Sequence, residues 1–102
     1  TATVGAGRAM WSLASRPNPL RPEQAGAEIE FTVAGRTEVT IRVLDMSGRL
    51  VRVILDDTRD PGHYVVQWDG ANGAGEPVAS GVYFCCLVTS EFRAVERLVL
   101  IR

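Results

Sequence analysis

Two stretches near the middle of the chain alternate strictly between apolar and polar residues. In Ala27 to Val33 (AEIEFTV) and in Glu38 to Val43 (EVTIRV), every second side chain is apolar. A period of two places one set of side chains on the core and the other in water, as in an antiparallel strand with one solvated face. Both stretches are therefore predicted to be β-strands.

Other β-rich runs follow along the chain, and each is bounded by turn residues such as the acidic stretch from Asp56 to Gly62. They are Arg49 to Leu55, His63 to Trp68, Gly81 to Thr89 and Phe92 to Ile101, with a weaker first strand at Met10 to Ser15. About seven short strands, spaced roughly 8–12 residues apart, are typical of an immunoglobulin-like sandwich. The predicted fold is all-β: an immunoglobulin-like antiparallel β-sandwich.

The chain of 102 residues is predicted to form one domain over residues 10–102. Residues 1–9 consist mostly of small residues and include two glycines, so they are expected to be a flexible linker. The apolar runs are too short to span a bilayer, so no transmembrane segment is expected.

The strand from Gly81 leaves two choices for its buried face. Either Tyr83, Cys85 and Leu87 face the core, or Val82, Phe84 and Cys86 do. We favour the first set, because Tyr-x-Cys is typical of the penultimate strand of immunoglobulin-like domains. The second set would then form an apolar outer face, which could serve as a contact surface.

Charge and cysteine content narrow the function classes. A net charge of -1 gives no electrostatic case for binding nucleic acid or an acidic membrane. Cys85 and Cys86 are adjacent, and neighbours on a strand point to opposite faces. A bond between them would need a strained turn in place of the strand. Together with the single His63, they do not make a zinc site.

The glycine-rich stretch QWDGANGAGEPVASGVYF, residues 67–84, is the strongest candidate for a ligand site. Its glycines lack the spacing of a phosphate-binding loop, and its acids lack that of a calcium loop. Calcium held between this loop and the acids Asp56, Asp57 and Asp60 is an alternative, but clustered surface acids are usually solvated turn residues. We expect no metal and no cofactor. The oxygen donors in the stretch are Asp69, Asn72 and Glu76.

Catalytic and sugar-binding sites are also disfavoured. His63 is the single histidine, no G-x-S-x-G nucleophile motif occurs, and Ser80 has no visible partner. Tyr64 and Trp68 could stack on a sugar, but on alternating strand positions core packing is favoured. The chain is predicted not to be an enzyme.

Five motifs occur in order along the chain. They are RPNPL at 16–20, VLDMSGRLV at 43–51, GHYVVQWDG at 62–70, PVASGVYF at 77–84 and RLVLIR at 97–102. In that order they resemble the motifs of the C-terminal sorting domains of type IX secretion cargo. The same segments resemble the immunoglobulin-like domain of the flagellar hook-capping protein, to which those sorting domains are related.

The matched residues have mainly structural roles. Asn18 between two prolines restricts the chain to an extended, bent entry into the sandwich. Gly48 is expected to supply the positive φ of a tight hairpin, in which Asp45 accepts backbone N–H bonds. Trp68 is the expected core aromatic, and Asp69 caps the loop that begins at Gly70. The signature positions are Pro17, Asn18, Pro19, Asp45, Gly48, Arg49, Trp68, Asp69, Gly70, Gly81 and Tyr83.

The resemblance implies a non-catalytic domain that directs a cargo protein through type IX secretion to the bacterial cell surface. Its partners would be proteins of the secretion machinery, and the resemblance places the sorting signal in the last strand. Arg97 and Arg102 stand where that family usually has Lys, so the charge is retained. An alternative is an architectural module, or a subunit of a surface assembly that self-associates through its edge strands. The implied signal residues are Arg97, Leu98, Val99, Leu100, Ile101 and Arg102.

Overall fold

The computed structural model describes residues 11–16, 19, 21–22 and 26–102. In this part of the chain, seven strands follow one another without a long helix. Short turns connect most of them. The strands are β1 (Ser12–Arg16), β2 (Ala27–Val33), β3 (Thr37–Asp45), β4 (Leu50–Arg59), β5 (Gly62–Trp68), β6 (Gly81–Val88) and β7 (Arg93–Leu100).

The strands form two antiparallel sheets. One sheet has the order β1-β2-β5 and the other the order β4-β3-β6-β7. This arrangement confirms the predicted immunoglobulin-like β-sandwich. In constant-type immunoglobulin domains the fourth strand joins the sheet of the first two, whereas here β4 pairs with β3 over the range from Thr37 to Leu44.

The core lies between the inner faces of the two sheets. Tyr83, Cys85 and Leu87 on β6 are buried, so the favoured choice of its inner face is confirmed. Trp68 at the end of β5 is the largest fully buried side chain, and its ring meets Tyr83 edge-on at 5.5 Å. The other core residues are Ala27, Ile29, Phe31, Val33, Val39, Ile41, Val43, Leu98 and Leu100.

Strand β4 pairs with β3 through two irregularities. The register shifts between Ile41 and Arg42 and again between Val43 and Leu44. At these points Ile54 and Val51 have no partner of their own, as expected for β-bulges. Both side chains pack partly against the core. This explains why apolar residues in this strand do not alternate.

The acidic stretch Asp56 to Gly62 was predicted to be a turn, and this is wrong for most of its length. Strand β4 continues to Arg59, with Asp57 opposite Val39 and Arg59 opposite Thr37. Pairing with β3 satisfies the backbone there, and the acids are exposed on an edge strand where their charge costs little. Only Asp60 and Pro61 separate β4 from β5.

The first strand begins later than predicted. It spans Ser12–Arg16, and the Trp11 ring before it stacks on Phe92 at 5.8 Å. Residues 1–10 and the signature residues Pro17 and Asn18 lie outside the described residues, while Pro19 is exposed at a bend. None of the described segments is a long apolar helix of the kind that spans a bilayer.

Candidate functional site

Strand β7, which holds residues 97–100 of the implied sorting segment, is an edge of the four-stranded sheet. Its inward side chains Leu98 and Leu100 are fully buried, whereas Arg97 and Val99 lie on the outer face. The strand pairs with β6 along its whole length, from Arg93 opposite Val88 to Leu100 opposite Gly81. The segment is therefore part of the folded core as well as part of the surface.

Arg102 connects the last strand to the glycine-rich loop. Its backbone N–H donates to Ser80 Oγ at 2.9 Å, and its Nε donates to the carbonyl of Val78 at 2.5 Å. Its Nη2 donates to the carbonyl of Gly70 at 2.6 Å. Charge-assisted bonds of this length are among the stronger hydrogen bonds in proteins. Three donors of one residue thus bind both ends of the loop.

The loop between β5 and β6 forms a small hairpin of its own. An isolated bridge joins Ala71 to Pro77, and the Val78 N–H donates to the carbonyl of Gly70 at 3.0 Å. Asn72 Oδ1 accepts the backbone N–H groups of Ala74 and Glu76 at 2.9 and 3.0 Å, as asparagine often does in turns. The glycine-rich loop is therefore held together by hydrogen bonds among its own residues.

The start of the loop is held by buried and close contacts. Trp68 Nε1 donates to the carbonyl of Ala71 at 2.8 Å, and Asp69 Oδ1 accepts the N–H of Ala71 at 3.0 Å. Gly70 has φ of 78°, and a Cβ there would lie 2.8 Å from the Pro22 ring. A larger residue would be strained at this position both in backbone and in space.

Tyr83 makes a second connection between the loop and the core. Its hydroxyl donates to the carbonyl of Ala79 at 2.6 Å, while its ring is buried beside Trp68. Cys85 follows two residues later on the same buried face. This is the geometry of the tyrosine corner of immunoglobulin-like domains, at the same place in the fold. Burial raises the pKa of the Tyr83 hydroxyl, and the Asp45 charge adds to the increase.

The β3–β4 hairpin is built around Asp45. Gly48 has φ of 86° and donates its N–H to the Asp45 carbonyl at 3.0 Å. Asp45 Oδ1 accepts the N–H groups of Ser47 and Arg49 at 2.9 and 3.0 Å. The Ser47 hydroxyl, followed by the Arg49 N–H, lowers the pKa of Asp45 from 3.8 to about 2. Arg49 Nε also lies 3.4 Å from Asp45 Oδ2.

Gly81, a further signature residue, begins β6.

Sequence reasoning missed the role of Arg52. Its guanidinium lies 3.2 Å from Asp69 Oδ1 and 3.4 Å from the carbonyl of Asn72, so it binds the loop from the β4 side. The signal for this role was a lone arginine inside the apolar run from Val51 to Leu55. The bonds from Arg102 to the loop were missed too, because they join positions up to 32 residues apart.

The candidate catalytic residues His63 and Ser80 make ordinary structural contacts. His63 Nδ1 lies 3.3 Å from the Thr32 hydroxyl and its Nε2 lies 3.6 Å from Glu30, while Ser80 accepts from Arg102. Among the described residues, no group of three or more His, Cys, Asp or Glu could hold a metal ion. Tyr64 packs against the core and stacks on Phe31 at 5.3 Å.

The two cysteines are both free and differ in environment. Cys85 is buried, and burial, with smaller effects of Cys86 and Glu96, raises its pKa to about 12. Cys86 is half-buried on the outer face, where burial raises its pKa against the opposing effect of Arg42 and Arg93. Neither thiol is activated as a nucleophile.

The domain is similar to parts of two much longer proteins of known structure. One is PorZ, an essential bacterial surface component of the type-IX secretion system of Porphyromonas gingivalis. It aligns with a TM-score of 0.59 and 25% identity over 88% of this chain and 11% of that chain. The other is the dimeric latent PorU of Porphyromonas gingivalis, with a TM-score of 0.67 and 17% identity over 97% of this chain and 10% of that chain. The chain thus spans about a tenth of each.

No match was found among curated proteins. The family model of the FlgD Ig-like domain matches residues 18–90. This match includes β2 to β6, the Asp45 hairpin, the glycine-rich loop and the tyrosine corner, and it covers more than half of the chain. The chain therefore belongs to the family of FlgD Ig-like domains.

Proposed function

We propose that this chain is a non-catalytic sorting and anchoring domain that directs a cargo protein through type IX secretion to the bacterial cell surface. Its partners are proteins of the secretion machinery. The observation that carries the proposal is the likeness to a tenth of PorZ, described as a surface component of that secretion system, at 25% identity over most of this chain. The five motifs that resemble sorting domains point the same way.

The last strand supports this proposal by its position. At one edge of the four-stranded sheet, β7 turns its outer face toward solvent, where another protein can contact it. Arg97 and Val99 present a charged and an apolar group on the outer face, and Ile101 lies just beyond the strand. Arg102 bonds to the loop and holds the end of this segment in place. A receptor would thus meet a rigid segment that loses little entropy on binding.

Removal of Arg97 to Arg102 would be a poor test of the signal. Leu98 and Leu100 belong to the core, and their loss would destabilise the whole sandwich. An unfolded domain would fail in delivery whether or not the strand carries a signal. The test therefore needs substitutions that leave both leucines in place.

The experiment uses a reporter fused in front of residues 1–102 in Porphyromonas gingivalis. The surface-exposed fraction is compared for the native domain and for Arg97→Ala/Ile101→Ser, which changes the segment outside its core positions. The matched control is Arg21→Ala/Val65→Ser, an exposed arginine and a half-exposed aliphatic residue elsewhere. We expect delivery to fall about tenfold for the first variant only, since interface positions of this kind often contribute a kcal/mol or more. Equal delivery by both would refute the role of the segment.

A second candidate function is an architectural module, or a subunit of a surface assembly such as a hook-cap-like scaffold or a filament. Its support is membership of the FlgD Ig-like family together with the four edge strands of the two sheets, β1, β4, β5 and β7. Edge strands can pair with other chains. Sedimentation velocity of the purified chain tests it: larger species at high concentration favour assembly, and a monomer throughout argues against it.

A further inference from the structure

The two outer faces of the sandwich differ in chemistry. On the three-stranded sheet, the outward residues are mostly polar and they pair with one another. Arg16 forms ion pairs with Glu28 and Glu30, and His63 lies between Glu30 and Thr32. The opposite charges on that face are matched within the domain. The outer face of the three-stranded sheet therefore offers few unpaired charges to a partner.

The outer face of the four-stranded sheet is apolar with arginines between. The cross-strand register aligns Arg42, Cys86 and Val95 in one row. It aligns Thr40, Val88 and Arg93 in the row on one side, and Leu44, Phe84 and Arg97 in the row on the other. In each row the arginine thus has an apolar neighbour about 5 Å away on the adjacent strand: Cys86 beside Arg42, Val88 beside Arg93 and Phe84 beside Arg97. We call Arg42, Phe84, Cys86, Arg93, Val95 and Arg97 the arginine face.

The arginine face is open to solvent. Arg42 and Arg93 are exposed, and Val95 has 61% of its surface exposed, the second largest value among the large apolar residues that the structure describes. A shallow depression of about 280 Å³ lies between Arg42, Cys86 and Arg93. Exposed apolar groups that are contiguous on a sheet mark an interaction surface.

The charge on this face is positive and unmatched at two positions. Within the described part of the chain, neither Arg42 nor Arg93 forms an ion pair. The carboxylates of the same face, Glu38 and Asp56, lie toward one end, on β3 and β4. The whole chain has a net charge of only -1, so the positive potential is local.

We propose that the arginine face binds an acidic segment of a partner protein, in which apolar side chains alternate with carboxylates. Carboxylates accept bidentate bonds from the guanidinium groups, and arginine beside apolar side chains is typical of binding hot spots. A second copy that docked with the same face would bring arginines together and be repelled. Residues 1–10 contain Arg8 and no acid, so charge does not favour them as the occupant.

This inference is separate from the proposed sorting function. It rests on Arg42 and Arg93, which lie outside the implied signal, and binding to this face can be measured in solution without secretion. A sorting domain can lack this binding, and an architectural module can have it. Failure of one proposal therefore leaves the other standing.

The test uses nuclear magnetic resonance of the full chain and a synthetic extended peptide. The peptide has Leu at every fourth position, Glu midway between and Ser elsewhere, so Leu and Glu share one side of the extended chain. Two further peptides replace Glu by Gln or by Lys. We expect the acidic peptide to shift amide signals of Arg42, Cys86 and Val95, with weaker binding at high salt. The Gln and Lys peptides should leave those signals unchanged.

Variants connect the binding to the arginines. Arg42→Glu/Arg93→Glu should weaken binding of the acidic peptide by about tenfold or more, because like charges then face each other. Arg42→Gln/Arg93→Gln removes the charge without repulsion and should also weaken it, which covers the case in which the reversal perturbs folding. The control Arg21→Glu/Arg36→Glu makes the same change in net charge elsewhere and should bind like the native chain.

Four results would overturn the proposal. The first is an absence of shifts with the acidic peptide, and the second is equal shifts with the Gln peptide. The third is binding to vesicles of phosphatidylglycerol and phosphatidylcholine through Arg42 and Arg93 without binding of the peptide, which would assign the face to a membrane. The fourth is a dimer that Arg42→Glu/Arg93→Glu dissociates and that the peptide does not compete with, which would assign it to a second copy.

Discussion

Arg102 donates from Nη2 to the carbonyl of Gly70 at 2.6 Å, across 32 positions of sequence. With its bonds to Val78 and Ser80, it joins the segment after the last strand to both ends of the loop before β6. Two regions that carry the family resemblance are therefore one structural unit. We therefore expect a mutation in one of these regions to destabilise the other.

Arg102→Ala removes the guanidinium bonds to Gly70 and Val78. We expect the free energy of unfolding to fall by about 1 kcal/mol, since the bonds are charge-assisted but partly exposed. Amide exchange should accelerate in residues 70–80 while β2 and β3 keep their protection. Urea denaturation and hydrogen exchange measure the two effects. Arg21→Ala, an exposed arginine, serves as the control. Unchanged exchange in the loop would contradict the connection.

Two tyrosines make the same bond in different surroundings, and they provide an internal comparison. Tyr83 donates to Ala79 O at 2.6 Å in a partly buried site, and Tyr64 donates to Asp60 O at 2.7 Å in an exposed one. Tyr83→Phe is expected to cost about 1–2 kcal/mol, because it leaves a carbonyl in a partly buried site without its partner. Tyr64→Phe should cost about 0.5 kcal/mol or less, since water replaces the hydroxyl. Equal losses in thermal unfolding would show that the Tyr83 bond has no special role.

The last strand contains core and surface positions close together. Leu98→Ala should destabilise the domain by about 2–5 kcal/mol, because a fully buried leucine leaves a cavity. Val95→Ala on the same strand should change stability by about 0.5 kcal/mol or less, since Val95 is largely exposed. Urea midpoints compare the two. A small effect of Leu98→Ala would mean that β7 is not part of the cooperative core.

Period-two alternation was enough to predict β2, because one face of that strand is buried and the other is solvated from Ala27 to Val33. For β6, alternation left two faces open, and the Tyr-x-Cys pattern selected the one that is buried. Alternation failed for β4, where two bulges break the period and pairing with β3 continues through Asp56 and Asp57. Alternation cannot reveal pairing that continues through a polar, exposed strand end.

The candidate site was predictable only in its local parts. The hydrogen bonds of Asp45, Asn72 and Gly48 lie within about five residues of sequence, and turn chemistry anticipates them. The bonds from Arg52 and Arg102 to the loop depend on the packing of distant strands, which no local pattern encodes. For the same reason, the arginine face becomes visible only when the register between β3, β6 and β7 is known.

Asp45 gives the domain a specific response to acid. The folded-state pKa of about 2 lies below the ordinary value of 3.8, so the unfolded state takes up the proton first as the pH falls. The stabilising contribution is complete well above pH 3.8 and is lost as the pH falls toward about 2. The native chain should exceed Asp45→Asn in urea midpoint near neutral pH, and the difference should shrink in this acid range. A difference independent of pH would contradict the hydrogen bonding of the carboxylate.

The proposed sorting function requires this domain to deliver a cargo to the cell surface. The most direct measurement is the fraction of a reporter that an added protease digests on intact Porphyromonas gingivalis cells. The reporter is fused to residues 1–102, to an unrelated immunoglobulin-like sandwich of similar size, or to no domain. We expect that only the first fusion is digested. Retention of all three inside the cell, or equal digestion of the first two, would contradict it.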